Sequence, residues 1–361
     1  MVTVKTTHKV EPAKPTPNEV MYLSELDQIK AVTHVRTVHF YAPTTDFLYS
    51  DAIQILKDSL SKALVIFYPL AGRFHEIGGG RLELHCDAKG AILVEAESES
   101  RIEDFEMHVA VDSLGLGISH VIVDGPFAFH FITEWAKIAR GEKTGILLVL
   151  DRTIWQIEES PKFEHTVLAP PPLLLGHSDN MEERKKTTTV TILKLSKDEI
   201  NKLKDKANQD TPYRNTSRPF SRYEALTGHM WRCASKARRH AVEQITRLHI
   251  AVSFINRMQP PLPQGYFGNA NLREAAIITA RELLSNPLSY ASSKIREAVE
   301  RVTDEYVRSY LGVIKALPDV SVHRNFHTMG CALGGSYGNP RMKSQVGHLC
   351  LYMMLILVGG K

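Results

Sequence analysis

Apolar side chains recur along this chain with two periods, and the switches between them mark its elements. Thr37-Val-His-Phe-Tyr41 alternates polar and apolar positions and predicts a strand. Ile53, Leu56, Leu60 and Leu64 fall at helical spacing, so Asp51 to Phe67 reads as a helix. Proline and glycine in Tyr68-Pro-Leu-Ala-Gly-Arg73 end it and set a turn. Gly78-Gly-Gly80, followed by Leu82 and Leu84 and then Ile92 and Val94, predicts a hairpin. Gly117 to Val123 predicts a strand and Pro126 to Arg140 a helix, the two meeting at Asp124-Gly125. Residues 1–20 hold three prolines and little periodicity, which predicts an extended arm.

Residues 150–190 are rich in proline around Ala169-Pro-Pro-Pro172 and read as a linker between halves. The second half opens with a predicted strand from Thr188 to Leu195. The capping box Ser196-Lys-Asp-Glu199 then starts an amphipathic helix to about Asn208. A helix from Glu224 to Arg239, a strand from Leu248 to Phe254, and helices over Asn271 to Leu284 and Ala291 to Leu317 follow. Strands and helices mix in both halves without a repeating βαβ unit, which predicts an α/β protein of the α+β kind.

Composition narrows the functions. A length of 361 residues exceeds what one core usually spans, so two domains are expected. Forty-four Lys and Arg against 40 Asp and Glu leave a net charge of +4, which does not call for a nucleic-acid partner. The four cysteines are scattered with no CxxC pair, so zinc and thioredoxin-like chemistry lack support and no metal is expected. Their sparseness fits a reducing compartment. The first residues contain no apolar signal-peptide core. The longest apolar run, Leu349 to Val358, is about half the roughly 20 residues of a membrane helix. A cytosolic protein without a membrane partner is the expectation.

The candidate chemistry sits where the strand meets the helix. His120 and Asp124 form an HxxxD pattern followed by Gly125. An alcohol or amine attacking a thioester must lose a proton, and a neutral imidazole accepts it near working pH. The aspartate can fix the turn, and the glycine lets the chain turn and substrate approach. The spacing alone says little. With 16 histidines, about one match is expected by chance, and His108-Val-Ala-Val-Asp112 is a second. Only the His120 match follows a glycine-rich strand, Leu114-Gly-Leu-Gly-Ile-Ser119, and precedes glycine and an amphipathic helix.

Gly117-Ile-Ser-His-Val-Ile-Val-Asp-Gly125 resembles the signature of the plant BAHD acyltransferases. Four further stretches agree in order: Tyr68-Pro-Leu-Ala-Gly-Arg-Phe74, Tyr223-Glu-Ala-Leu-Thr-Gly-His-Met-Trp-Arg-Cys233, Asn256-Arg-Met-Gln-Pro-Pro-Leu-Pro263 and Gly265-Tyr-Phe-Gly-Asn-Ala270. Leu23-Ser-Glu-Leu-Asp-Gln28 and Ser217-Arg-Pro-Phe-Ser-Arg-Tyr-Glu-Ala225 most resemble the spermidine hydroxycinnamoyltransferase branch, with shikimate hydroxycinnamoyltransferases close to it.

The resemblance implies two chloramphenicol-acetyltransferase-like domains, over 1–150 and 188–342, with 151–187 as crossover linker and a channel between them. It implies a monomer using acyl-CoA as co-substrate, with no other cofactor. His120 would deprotonate a small amine or alcohol acceptor such as spermidine, without an acyl-enzyme, and Asp124 and Gly125 would shape the turn. Arg257 matches a family arginine near the CoA phosphates, and Ser253 is placed similarly. Thr37 and His39 fall where relatives line the acceptor pocket, and tyrosine is commoner at the His39 position. Lys236, Arg238 and Arg239 at a helix end fit compensation of the helix dipole rather than a ligand. Trp135 and Trp231 read as core. Gly78-Gly-Gly80 is not a phosphate loop, since no lysine-serine pair follows.

Two departures stand against this resemblance. The family carries several tens of residues between a stretch like Glu97 to Phe105 and the strand before HxxxD, and here Ser113 to Gly117 follows almost at once. Loss of that segment, which ordinarily holds a core strand, is expected to leave strand edges uncovered. The second departure is Lys343 to Lys361, which lacks the family's Asp-Phe-Gly-Trp-Gly motif. A codon choice exists for Met353 to Lys361 whose shifted frame reads Asp-Val-Asp-Phe-Gly-Trp-Gly-Lys, so residues 343–361 read as an out-of-frame tail. A remnant without activity is therefore the alternative to a working transferase.

Overall fold

The computed structural model describes residues 2–41, 49–98, 112–145, 147–155, 157, 161–170, 172–173, 175, 193–209, 213, 218–324 and 351–358. In chain order its strands are β1 (Val2–Val10), β2 (Val20–Met21), β3 (His34–Tyr41), β4 (Arg73–Gly78), β5 (Arg81–His85), β6 (Ala91–Ser98), β7 (Asp112–Ser119), β8 (Ile245–Ser253), β9 (Asn271–Thr279) and β10 (Leu351–Val358). The helices are α1 (Glu25–Gln28), α2 (Tyr49–Ile66), α3 (Gly125–Ala139), α4 (Lys197–Gln209), α5 (Arg222–Ala237), α6 (Ala280–Ser285), α7 (Leu288–Arg301), α8 (Asp304–Ala316) and α9 (Ser321–Arg324).

The chain forms two units. Unit 1 takes Met1–Ser160, Pro261–Ala270 and Leu311–Lys361; unit 2 takes Pro161–Pro260 and Asn271–Tyr310. The contiguous division at 151–187 is thus drawn differently in space. Pro261–Ala270 returns to unit 1 because Phe267 joins its core and Tyr266 bridges to Val149.

Unit 1 holds a five-stranded sheet in the order β1-β6-β10-β7-β3 and a three-stranded sheet in the order β2-β5-β4. The alternation of Leu82 and Leu84 in β5 sends one face inward, whereas Val38 of β3 is exposed and Leu93 rather than Ile92 of β6 enters the core. Leu82 and Leu84 of β5, Leu93 of β6, and Leu114, Leu116 and Ile118 of β7 enter one core with Leu60 and Leu64 of α2 and Phe131 and Trp135 of α3. Each such side chain contributes roughly 1.5–3 kcal/mol on burial. Trp135 donates Nε1–H to Ser59 Oγ at 2.9 Å, which satisfies its one polar atom inside the core.

Three expectations for unit 1 change. The N-terminal arm includes a strand, because β1 pairs antiparallel with β6. Gly78–Gly80 joins β4 to β5, as expected, but Ile92 and Val94 lie on β6 in the other sheet. The strand edges expected to stand open on β6 and β7 are covered by β10, from the segment read as an out-of-frame tail.

Unit 2 pairs β8 with β9 antiparallel, from Ile245 opposite Thr279 to Ser253 opposite Asn271. Asn271 to Leu284 was expected to be one helix. Its first nine residues are β9, because pairing with β8 overrides the helix preference of Arg-Glu-Ala-Ala; only Ala280–Ser285 is helical. Ala291 to Leu317 is likewise two helices, α7 and α8, broken at Val302 and Thr303. The expected strand from Thr188 lies mostly outside the described residues, and its end at Leu193–Leu195 is not strand. Trp231 is buried, as a core residue.

Candidate active site

β7 delivers the histidine. Its apolar positions fix its face against the core, and it ends at Ser119. The chain then turns tightly: the N–H groups of Ile122 and Val123 donate to Ser119 O at 3.1 and 3.4 Å. Val121, Ile122 and Val123 are buried beneath the turn, which leaves His120 as its half-buried residue. The His120 N–H donates to Thr33 O at 3.0 Å, tying the turn to the segment before β3.

Asp124 caps α3 in extended backbone, and Pro126 sits in the first turn, where its missing N–H costs nothing. The Asp124 carboxylate does not bond the helix start. Its Oδ2 accepts from Ala270 N–H at 2.8 Å, and its own N–H donates to Gly268 O at 3.3 Å. It is 2% exposed and acts between two chain segments. Gly125 lies outside the left-handed region, and a Cβ there would meet nothing within 4 Å. The turn itself does not need glycine; what the residue leaves is open space beside the helix start.

The turn rests on three residues that sequence reasoning did not single out. Asn269 Nδ2 donates to His120 O at 3.0 Å, to Val121 O at 3.2 Å and to Asp27 Oδ1 at 2.7 Å. Asp27 Oδ2 accepts from Arg152 Nη1 at 2.7 Å, both side chains being fully buried. Arg152 Nη2 donates to Ile122 O at 3.0 Å and Phe267 O at 3.3 Å. Asp27 is also the N3 residue of the α1 capping box, accepting from Ser24 N at 3.0 Å and Ser24 Oγ at 2.8 Å. Three consecutive carbonyls, of His120, Val121 and Ile122, are therefore held by one buried network. Asp27 and Asn269 lie inside quoted family stretches. Arg152 stands in the stretch read as linker, where no local pattern marked it.

Burial pushes the His120 imidazole down to about 4, and the Lys30 cation adds to that shift. The ring is neutral at neutral pH, the form able to accept a proton. Its Nδ1 is buried with no hydrogen-bond partner within the protein.

Thr37 and His39 lie on β3, with Thr37 Oγ1 3.2 Å from His39 Nε2. Register sets them opposite Leu116 and Leu114, hence on the core-side face of the sheet. His120, one residue beyond the end of β7, is four and six residues along the chain from those partners. Ser253 ends β8 in unit 2 and is exposed. Arg257, also in unit 2, donates Nη1–H to Val299 O at 2.6 Å and Val302 O at 2.8 Å. Part of its guanidinium thus caps the C-terminus of α7. Arg238 and Arg239 follow the last residue of α5, and Lys236 lies in its last turn. A cavity of about 470 Å³ by β2 and β5 is lined by none of the expected site residues. Among the described residues no group of three His, Cys, Asp or Glu could hold a metal ion. His108 of the competing match lies outside the described residues.

Comparison with known proteins decides the family. The model of the transferase family matches residues 1–114 and 111–338. The chain belongs to this family. Hydroxycinnamoyl-CoA:piscidic acid hydroxycinnamoyltransferase of Actaea racemosa is 41% identical over 381 residues, covering 95% of this chain and 85% of that protein. Shikimate O-hydroxycinnamoyltransferase of Nicotiana tabacum is 35% identical, covering 91% and 83%. Vinorine synthase superposes with a TM-score of 0.62 at 20% identity, covering 88% of this chain and 80% of that one. F. graminearum TRI101, complexed with coenzyme A and deoxynivalenol, gives 0.66 at 15% identity, covering 84% and 80%. The fold is therefore the mixed α/β acyltransferase fold that the resemblance implied. The protein is a CoA-dependent acyltransferase. Among the described residues no helix is long and apolar enough to cross a membrane.

Proposed function

We propose that this transferase moves a hydroxycinnamoyl group from CoA to a small acceptor, with His120 as the base. The observation that carries this is the half-buried imidazole on a turn whose carbonyls are held by Asn269 and Arg152. A neutral imidazole takes the acceptor's proton as its oxygen or nitrogen attacks the thioester carbonyl. The imidazolium then returns the proton to the departing CoA thiolate, so no acyl-enzyme is needed. Asp124 ties the turn to Ala270, Gly125 leaves open space beside it, Ser253 and Arg257 contribute to CoA binding, and Thr37 and His39 contribute to the acceptor side. Acyl-CoA is the co-substrate; the protein works as a monomer in the cytosol.

Spermidine is the acceptor expected from two stretches, Leu23–Gln28 and Ser217–Ala225. One acid in each serves as buried scaffold: Asp27 and Glu224 are capping-box residues paired with Arg152 and Arg296. Likeness there speaks to folding more than to acceptor choice. A hydroxy acid is the second reading, favoured by the 41% identical relative that acts with piscidic acid. The test incubates the protein with p-coumaroyl-CoA and, separately, spermidine, shikimate and piscidic acid, following thiol release. Acceptor-dependent release that His120→Ala abolishes supports the reading, and the active arm names the acceptor. Release no faster than the His120→Ala level in every arm would leave an inactive remnant.

A further inference from the structure

β6 and β7 are successive strands of one sheet, yet they do not pair with each other. β10 lies between them, parallel to β6 from Tyr352 opposite Ile92 to Val358 opposite Ser98. Its other edge runs antiparallel to β7, from Leu351 opposite Ile118 to Ile356 opposite Ser113. Without β10 the sheet would separate into two ribbons, β1-β6 and β7-β3. Two-stranded ribbons are marginal in water.

The sequence of β10 suits this seat. Leu-Tyr-Met-Met-Leu-Ile-Leu-Val has no charge, proline or glycine. Continuous apolar runs belong to strands paired on both sides and covered on both faces. The edge strands read differently: β1 carries Lys5, His8 and Lys9, and β3 carries His34, Arg36 and His39. Charged residues are how edges resist further pairing. Register sets Met353 between Leu93 and Leu116, both core residues of their strands.

We propose that Leu351–Val358 are the bridging strand on which the position of His120 depends. β10 locks β7 to β6, and His120 is the residue immediately after β7. This rests on the reading of His120 as the base. It gives the C-terminal run a role in the site whatever the origin of its sequence.

Two measurements on the full chain test this without relying on turnover. Leu116→Cys with Met353→Cys, and separately Leu114→Cys with Leu355→Cys, should each form a disulfide under mild oxidation, mapped by mass spectrometry. Val38→Cys with Met353→Cys is the control, because β3 lies one strand beyond β7 and Cα atoms more than about 7 Å apart cannot be bridged. Met354→Pro should speed hydrogen exchange at the His120 amide and along β6 and β7 by about tenfold or more. The β4–β5 and β8–β9 ladders should keep their protection, which a general loss of stability would not allow. Cross-linking no greater than the control, or His120 protection unchanged by Met354→Pro, overturns the proposal. Either result can be read whether or not the enzyme turns over hydroxycinnamoyl-CoA.

Discussion

The two units contain the same device in two settings. In unit 1 the capping-box acid Asp27 of α1 pairs with buried Arg152; in unit 2 the capping-box acid Glu224 of α5 pairs with Arg296, at 2.8 Å. Each arginine also donates to backbone carbonyls, although Arg152 Nε is buried with no hydrogen-bond partner within the protein. Arg152 takes those of Ile122 and Phe267, and Arg296 takes those of Arg218 and Pro219. Each pair thus answers the desolvation of two charges with added hydrogen bonds, the condition under which a buried pair is tolerated. They differ in what the carbonyls belong to. In unit 2 they steady the approach to a helix, and in unit 1 they are the floor beneath His120. The same chemistry is scaffold in one place and, in the other, positions the residue proposed as the base.

Breaking the pairs separates those roles and should give the largest effects. Removing one partner strands the other charge, so Arg152→Met and Arg296→Met should each cost about 3–5 kcal/mol. Local hydrogen exchange in unit 1 or unit 2 would report the loss in the matching unit. Activity per folded molecule should fall with Arg152→Met and hold with Arg296→Met. Equal loss of specific activity in both would sink the distinction. Asn269→Ala is milder for the fold and sharper for chemistry. It frees the carbonyls of His120 and Val121, and a shift of about 1 Å can cost ~100-fold in rate. We expect kcat to drop with KM for acyl-CoA unchanged; a change confined to KM would place Asn269 outside positioning.

How much of this was legible in the sequence follows from the same residues. His120 is singled out by the glycine-rich strand, glycine and amphipathic helix around it together with four distant stretches that carry the family resemblance. The capping boxes are local signals, and Ser196–Glu199 was read directly. Arg152 was not legible. Its partners lie on Asp27, Ile122 and Phe267, far apart in the chain, and proline content nearby suggested a linker. β9 was misread as helix because pairing with β8 outweighs a modest propensity of well under 1 kcal/mol per residue. The arm at residues 1–20 hid β1 because its three prolines all follow Val10. The apolar run at 349–358 was visible, but nothing local could assign it to the space between β6 and β7.

Lys30 offers a smaller test of how unit 1 tunes its histidine. The cation opposes protonation of His120, whose imidazole stands at about 4. Lys30→Met should raise that value toward the ordinary 6.5 without reaching it, because burial contributes most of the shift. In the wild type the acid limb of kcat/KM should lie near pH 4, since that limb reports the free enzyme's base. In Lys30→Met the limb should move up in pH. An unmoved limb would mean that Lys30 does not act on the ring.

The smallest effect compares the units by acid. Burial holds His120 of unit 1 at about 4, and His165 and His249 of unit 2 also at about 4. Arg273 and Arg247 add to the depression at His249. An imidazole whose folded value is lowered stays neutral in the native state while the unfolded chain, near 6.5, takes up protons. The unfolded state therefore binds more protons between about pH 6.5 and 4, and stability falls as pH falls through that window. Above about pH 6.5 these groups contribute their full stabilisation, with no further gain. Among the described residues unit 2 carries two histidines held at about 4 against one in unit 1, so its ladder β8–β9 should lose exchange protection more steeply from pH 6.5 to 4.5 than β4–β5 of unit 1. Replacing His165 and His249 together by glutamine, which cannot titrate, should flatten the unit 2 slope and leave unit 1 unchanged. A slope that survives in the double variant would assign the acid sensitivity to carboxylates instead.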